Sequence, residues 1–72
     1  MDIDAEIAKA KAKTAKAAES AKRQQKILND PGYQQKVSSE LQEVEKKKLA
    51  DFEAEIRNYE DSIQHFERLK LE

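Results

Sequence analysis

KILNDPGYQQKVSSELQ, residues 26–42, is the one stretch in which this chain stops reading as helix, and its reading decides the fold. It holds the only proline, Pro31, the only glycine, Gly32, and one of the two tyrosines, Tyr33. Asn29 and Asp30 suit a helix end and a following cap. Pro31 cannot continue a helix with an intact hydrogen-bond ladder, and Gly32 tolerates positive φ. A first helix is therefore expected to stop near Leu28. Asp30-Pro31 has a second reading, as the cap and first position of a single helical turn through Gln35 or Lys36. Further on, Ser39 and Gln42 have the form of a capping box, with Ser38 as the alternative cap. The expected layout is a first helix over about 2–28, a tip over 29–38 and a second helix over about 39–70.

Outward from the tip, both arms carry a helical seam. Apolar or small residues recur at Ile3, Ile7, Ala10, Thr14, Ala17, Ala21 and Leu28, with Gln24 in the gap. On the other side come Leu41, Val44, Leu49, Phe52, Ile56, Tyr59, Ile63, Phe66 and Leu69, with a local slip between Val44 and Leu49. A helix of about 26 residues is about 40 Å long, which suits one arm of a hairpin better than a compact ball. Two helices joined by a short connection are most simply antiparallel neighbours. Setting Leu28 across from Leu41 also sets Ala17 across from Phe52, Ala10 across from Tyr59 and Ile3 across from Phe66. Small then faces large along much of the length, as interdigitated packing requires. The fold expected is all-α, a long antiparallel two-helix hairpin of coiled-coil type. Its rival is one continuous helix in a dimeric coiled coil.

With 72 residues, 40% of them charged and only 6% aromatic, the chain has little apolar area and no room for an enzyme pocket. Ala, Glu, Lys, Gln and Leu, all good helix formers, dominate. Without cysteine there is no disulfide framework or thiolate metal site, and the single histidine cannot build a zinc centre. No cofactor is implied. His65 falls beside the seam and reads as an ordinary surface residue. No apolar run approaches the roughly 20 residues needed to span a bilayer, and MDIDAEIAKA lacks the layout of a signal peptide. The chain reads as soluble and intracellular. Opening directly in helix-like sequence, it also reads as a fragment, and Leu71-Glu72 is compatible with a cloning scar.

Charge is unevenly placed although the net is −1. Residues 9–36 contain eight basic residues against Glu19 and Asp30, whereas residues 37–72 contain six basic and ten acidic ones. In the register above, Lys46, Lys47 and Lys48 lie beside Lys22 and Arg23, and with Lys26 they make six cations within a few turns of the tip. Lys36 stands in the tip itself. A phosphate backbone is the natural partner of such a cluster, since each neutralised phosphate releases counterions. The plainer alternative is a solvated face with lysines paired to glutamates across the seam or at i, i+4. Tyr33 likewise has two readings: a ring closing the end of the seam with Val37 over Leu28 and Leu41, or an exposed ring stacking on a base or sugar.

From Lys26 onward the chain resembles the C-terminal arm of valyl-tRNA synthetase, in its fungal or other eukaryotic form. The resemblance lies in a first helix ending in Leu28-Asn29, an aromatic at Tyr33, then Lys36-Val37, Leu41-Gln42-Glu43 and Lys48-Leu49-Ala50, with apolar residues at helical spacing to the end. Where the family usually has a proline, this sequence has Ser38. The resemblance implies a helical hairpin appended to a class I synthetase and contacting the elbow of tRNA(Val). It implies that catalysis belongs to the parent enzyme's body, which is the arm's other partner. The parent is then cytoplasmic, or its mitochondrial form. The cations gathered at the tip by charge layout and register, Lys22, Arg23, Lys26, Lys36, Lys46, Lys47 and Lys48, with Tyr33 nearby, are the residues expected to meet the RNA. Two helices with one thin seam also invite weak self-association.

The competing class is a structural coiled-coil module that pairs with a protein. It needs an apolar stripe left over once the hairpin has closed, and Ala5, Ala8, Ala12 and Ala15 are the residues expected to form one.

Overall fold

The computed structural model describes residues 2–72, which form α1 (Ile3–Asn29), α2 (Pro31–Lys36) and α3 (Ser39–Leu71). α1 and α3 pack antiparallel as a hairpin, for Gln24 meets Glu45 near the tip while Asp4 meets Lys70 at 2.7 Å at the open end. The rod measures 54 × 15 × 15 Å. Its length is that of the longer helix, about 50 Å for the 33 residues of α3.

Local chemistry sets each boundary. Asp2 caps α1 by accepting from the Ala5 N–H at 3.2 Å, and Asp4 and Glu6 place negative charge at the positive end of the helix dipole. Asp30 both ends α1 and starts α2. Its own N–H donates to the Ile27 carbonyl at 3.3 Å, and its carboxylate accepts from the Gly32 N–H at 2.9 Å. Pro31 occupies the first position of α2, where its missing N–H has no consequence. Of the two readings of the tip, the structure has the helical one. Gly32 does not use its conformational freedom, since no glycine among the described residues has positive φ. Ser38, not Ser39, caps α3, accepting from the Leu41 N–H at 3.3 Å. Gln42 accordingly makes no capping box. Its amide reaches back to donate to the carbonyls of Val37 at 2.8 Å and Gln34 at 3.2 Å, which stitches α2 to the start of α3.

The seam is thin. Ile7, Ala10, Ala17 and Gln24 are the buried residues of α1, and α3 has only half-buried ones, among them Leu49, Phe52, Ile56, Tyr59, Ile63 and Phe66. A pair of helices covers one side of each seam residue and leaves the other to water. Ala17 and Phe52 line one cleft, in keeping with small facing large. Thr14, half-buried in an apolar row, satisfies its hydroxyl on the Ala10 carbonyl at 2.8 Å.

Two seam assignments need correction. Leu41 and Val44 are 48% and 51% exposed. The seam at this end passes instead through Gln42 and Glu45 to Leu49, which removes the slip between Val44 and Leu49. Leu28 accordingly shares a cleft with Tyr33, Gln42 and Leu49 rather than facing Leu41. Ala5 is half-buried, so the expected alanine stripe shrinks to Ala8, Ala12 and Ala15. The larger apolar groups left uncovered near the tip are Ile27, 46% exposed, with Leu41 and Val44.

Two substitutions test this account of the tip by urea denaturation. Ser38→Ala should cost about 1 kcal/mol, while Ser39→Ala, which removes no cap, should change stability by a few tenths at most. Gly32→Ala should stabilise by roughly 0.5 kcal/mol, because Gly32 is helical and an added Cβ meets only the Asp30 carboxylate, at 3.4 Å.

Candidate nucleic-acid interface

The tip cations share one end of the rod but not one face. Successive helical residues are 100° apart, so Lys46, Lys47 and Lys48 fan through about 200° around α3, and Lys22 and Arg23 diverge likewise on α1. Lys22 and Lys26, one turn apart, line a shallow cleft with Gln25, Asn29 and Asp30. Lys46 lines the adjoining cleft, which shares Gln25 and Asn29 with the first. Lys22, Lys26 and Lys46 thus flank one continuous surface. By the same 100° spacing, counted from the seam residues Gln24 and Glu45, Arg23 and Lys48 fall on the opposite flank of the hairpin and Lys47 on the side of α3 away from the seam. Lys36 closes α2, exposed, where its charge suits the helix C-terminus.

Several of these cations already hold carboxylates. Arg23 pairs with Glu19 at 3.0 Å, Lys46 with Glu43 at 3.4 Å and Lys48 with Glu45 at 3.2 Å. Among the described residues, Lys22, Lys26, Lys36 and Lys47 have no carboxylate within 4.0 Å. Exposed pairs at i, i+3 and i, i+4 are weak and exchange partners readily, so the paired cations of the tip remain open to an incoming anion alongside the unpaired ones.

Glu45 is the carboxylate on which the tip's polar contacts converge. The Gln24 amide donates to its side chain at 2.6 Å and to its main-chain carbonyl at 3.0 Å, using both N–H groups. Lys48 donates to the other carboxylate oxygen at 3.2 Å. The Gln24 hydrogen bond first, then that from Lys48, hold the Glu45 carboxyl below the ordinary glutamate range. Sequence reasoning missed this pair by skipping Gln24 as a gap. The signal was present, since Gln24 continues the heptad series Ala10, Ala17, and Glu45 continues Phe52, Tyr59.

Tyr33 is half-buried at the end of the seam, and its hydroxyl is covered without a hydrogen-bond partner. Burial first, then the nearby Glu45 carboxylate, push its ionisation above the usual tyrosine value, with Lys48 and Lys46 opposing. His65 is exposed, its ring tilted against Phe66. Among the described residues, no three His, Cys, Asp or Glu side chains are grouped to hold a metal ion, and no helix is long and apolar enough to cross a membrane.

Two long antiparallel helices joined by a folded tip, with cations gathered at the tip end, define the protein as a helical hairpin. Over 71 residues, 99% of its length, it is 39% identical to the mitochondrial valine–tRNA ligase of Saccharomyces cerevisiae. The chain is thus related to a segment of valine–tRNA ligase, and the resemblance seen from Lys26 onward extends through α1 as well. It spans only 6% of that ligase's length. No family model matches the chain, and no solved structure matches it.

Two measurements test the site as built. In a carboxyl NMR titration, Glu45 should titrate below the ordinary glutamate range, and Gln24→Leu should return it toward that range. Because its folded value is depressed, the stability Glu45 contributes is present above its unfolded value and is lost as pH falls through the folded one. Tyr33→Phe should leave the melting temperature unchanged or raised, since it removes a covered hydroxyl that has no partner.

Proposed function

We propose that the chain is the C-terminal tRNA-binding arm of a valine–tRNA ligase, which holds the elbow of tRNA(Val) while the ligase body carries out aminoacylation. The observation that carries this reading is the 39% identity over nearly the whole chain to a valine–tRNA ligase. The charge layout supports it. Lys22, Lys26 and Lys46 flank one surface at the tip, with Lys36 and Lys47 beside it, and the open end carries Asp2, Asp4 and Glu6. A polyanion is attracted at the tip and repelled at the other end, so the field orients the arm as well as holding it. Arg23 and Lys48 serve on the second flank, where a curved backbone wraps the rod. Tyr33 contributes to this surface chiefly by holding the tip's shape.

In this reading the arm supplies no reacting group, and its partners are the tRNA and the body of its parent. The parent works in the cytoplasm or, as the name of the yeast relative favours, in the mitochondrion. The second reading, a coiled-coil interaction module, draws its support from Ile27, Leu41 and Val44, each about half exposed near the tip. Self-association through them would be weak, because three aliphatic side chains fall far short of the area a specific interface buries.

The test is a tRNA titration at several salt concentrations. Replacing Lys22, Arg23, Lys26, Lys46, Lys47 and Lys48 with glutamine should keep the helices, weaken binding and flatten the dependence of log affinity on log salt by somewhat less than about one per lost phosphate contact. Replacing Lys9 and Lys11, far from the tip, should change the slope little. Unchanged affinity and slope in the six-site variant would show that the patch is only a solvated face.

A further inference from the structure

The apolar pairing of this hairpin does not by itself choose one alignment. Ile3, Ala10, Ala17 and Gln24 stand at intervals of seven along α1, and Glu45, Phe52, Tyr59 and Phe66 at intervals of seven along α3. A slip of one heptad would leave the central pairs equivalent. Ala17 would face Tyr59 instead of Phe52, and Ala10 would face Phe66 instead of Tyr59. Small would still face large. The polar members break this degeneracy, because Gln24 meets Glu45 at one alignment only.

We infer that the Gln24–Glu45 contact is a register lock, which fixes the axial offset of α1 against α3 and so sets where the tip cations of the two helices stand relative to each other. Gln24 is 8% exposed and spends both amide N–H groups on Glu45, at 3.0 and 2.6 Å. After a slip in one direction Gln24 would face Phe52, its donors covered and unmatched. After a slip in the other, Glu45 would face Ala17 and lose its principal donor. Either arrangement leaves a covered polar group without a partner, which is the most effective penalty available in so thin a seam. The groups facing Glu45 are Gln24 from α1, Tyr33 from α2 and Lys48 from α3. Lys48 on the outer oxygen keeps the carboxylate charged and turned toward Gln24.

The connection alone is a weak guard. A slip one way needs only the first two turns of α3 to open, and a slip the other way consumes α2, a six-residue helix with no buried residue. Either would move Lys46, Lys47 and Lys48 by about 10 Å past Lys22 and Lys26, seven residues at 1.5 Å each. Gln24 and Glu45 therefore act as positioning residues for the charged tip.

The chain has no cysteine, so nitroxide labels can be placed cleanly at Ala8→Cys and Ala50→Cys, both exposed. Pulsed electron–electron resonance should give one distance in the otherwise unaltered chain. With Gln24→Leu added, the helices should persist and the melting temperature should hold or rise, while a second population appears about 10 Å from the first. With Gln24→Asn the outcome should match Gln24→Leu in part, because the shorter amide reaches Glu45 poorly. A single unshifted distance in Gln24→Leu, at unchanged or higher stability, would overturn the lock and assign the register to the tip alone.

Discussion

A hairpin of two helices has a single seam and no second layer to back it, and every other feature of this protein follows from that constraint. With no side chain among the described residues fully withdrawn from water, the seam relies on complementary sizes. Alanines on α1 let the helices approach, and aromatic side chains of α3 fill the space beside them. Such a seam is cheap in hydrophobic residues but repetitive. Repetition is what makes a polar contact valuable here, since the amide of Gln24 and the carboxylate of Glu45 are the members of the two rows that recognise each other alone.

The same economy leaves the surface free for charge. On a rod 15 Å across, side chains that leave the seam reach solvent within one turn, and lysines near the tip are held by weak neighbours or by none. Capping aspartate and serine residues close the helix ends at the tip without using any of these cations. The tip is therefore folded by main-chain capping and by Gln42, and its positive groups remain available to a partner.

The sequence and the structure part company at particular residues. Pro31 marked the break between α1 and α2 correctly because its backbone restriction is local, whereas the freedom of Gly32 goes unused inside α2. The choice between a helical and an irregular tip needed the Asp30 carboxylate, which caps the Gly32 N–H. Ser38 and Ser39 have the same chemistry one residue apart, so only the path of the chain out of α2 decides which one caps α3. The apolar pattern led through Leu41 and Val44, whereas the helix period forward of Leu49 leads through Glu45 and Gln42, and the seam follows the period. A polar residue in a seam is easily read as a gap when its partner is also polar. The basic residues were legible as a group along the axis. Their division between two flanks was not, because it depends on which face of each helix the seam takes up.

On the proposed function, the tip, on the flank of Lys22, Lys26 and Lys46, is the surface that meets tRNA. The most direct measurement is an amide NMR map of the isotope-labelled chain during titration with a tRNA(Val) transcript. The account predicts that shifted resonances concentrate at residues 22–37 and 46–49, with those of residues 3–11 and 60–71 unmoved. Shifts centred on the open end, or none at saturating tRNA, would contradict it.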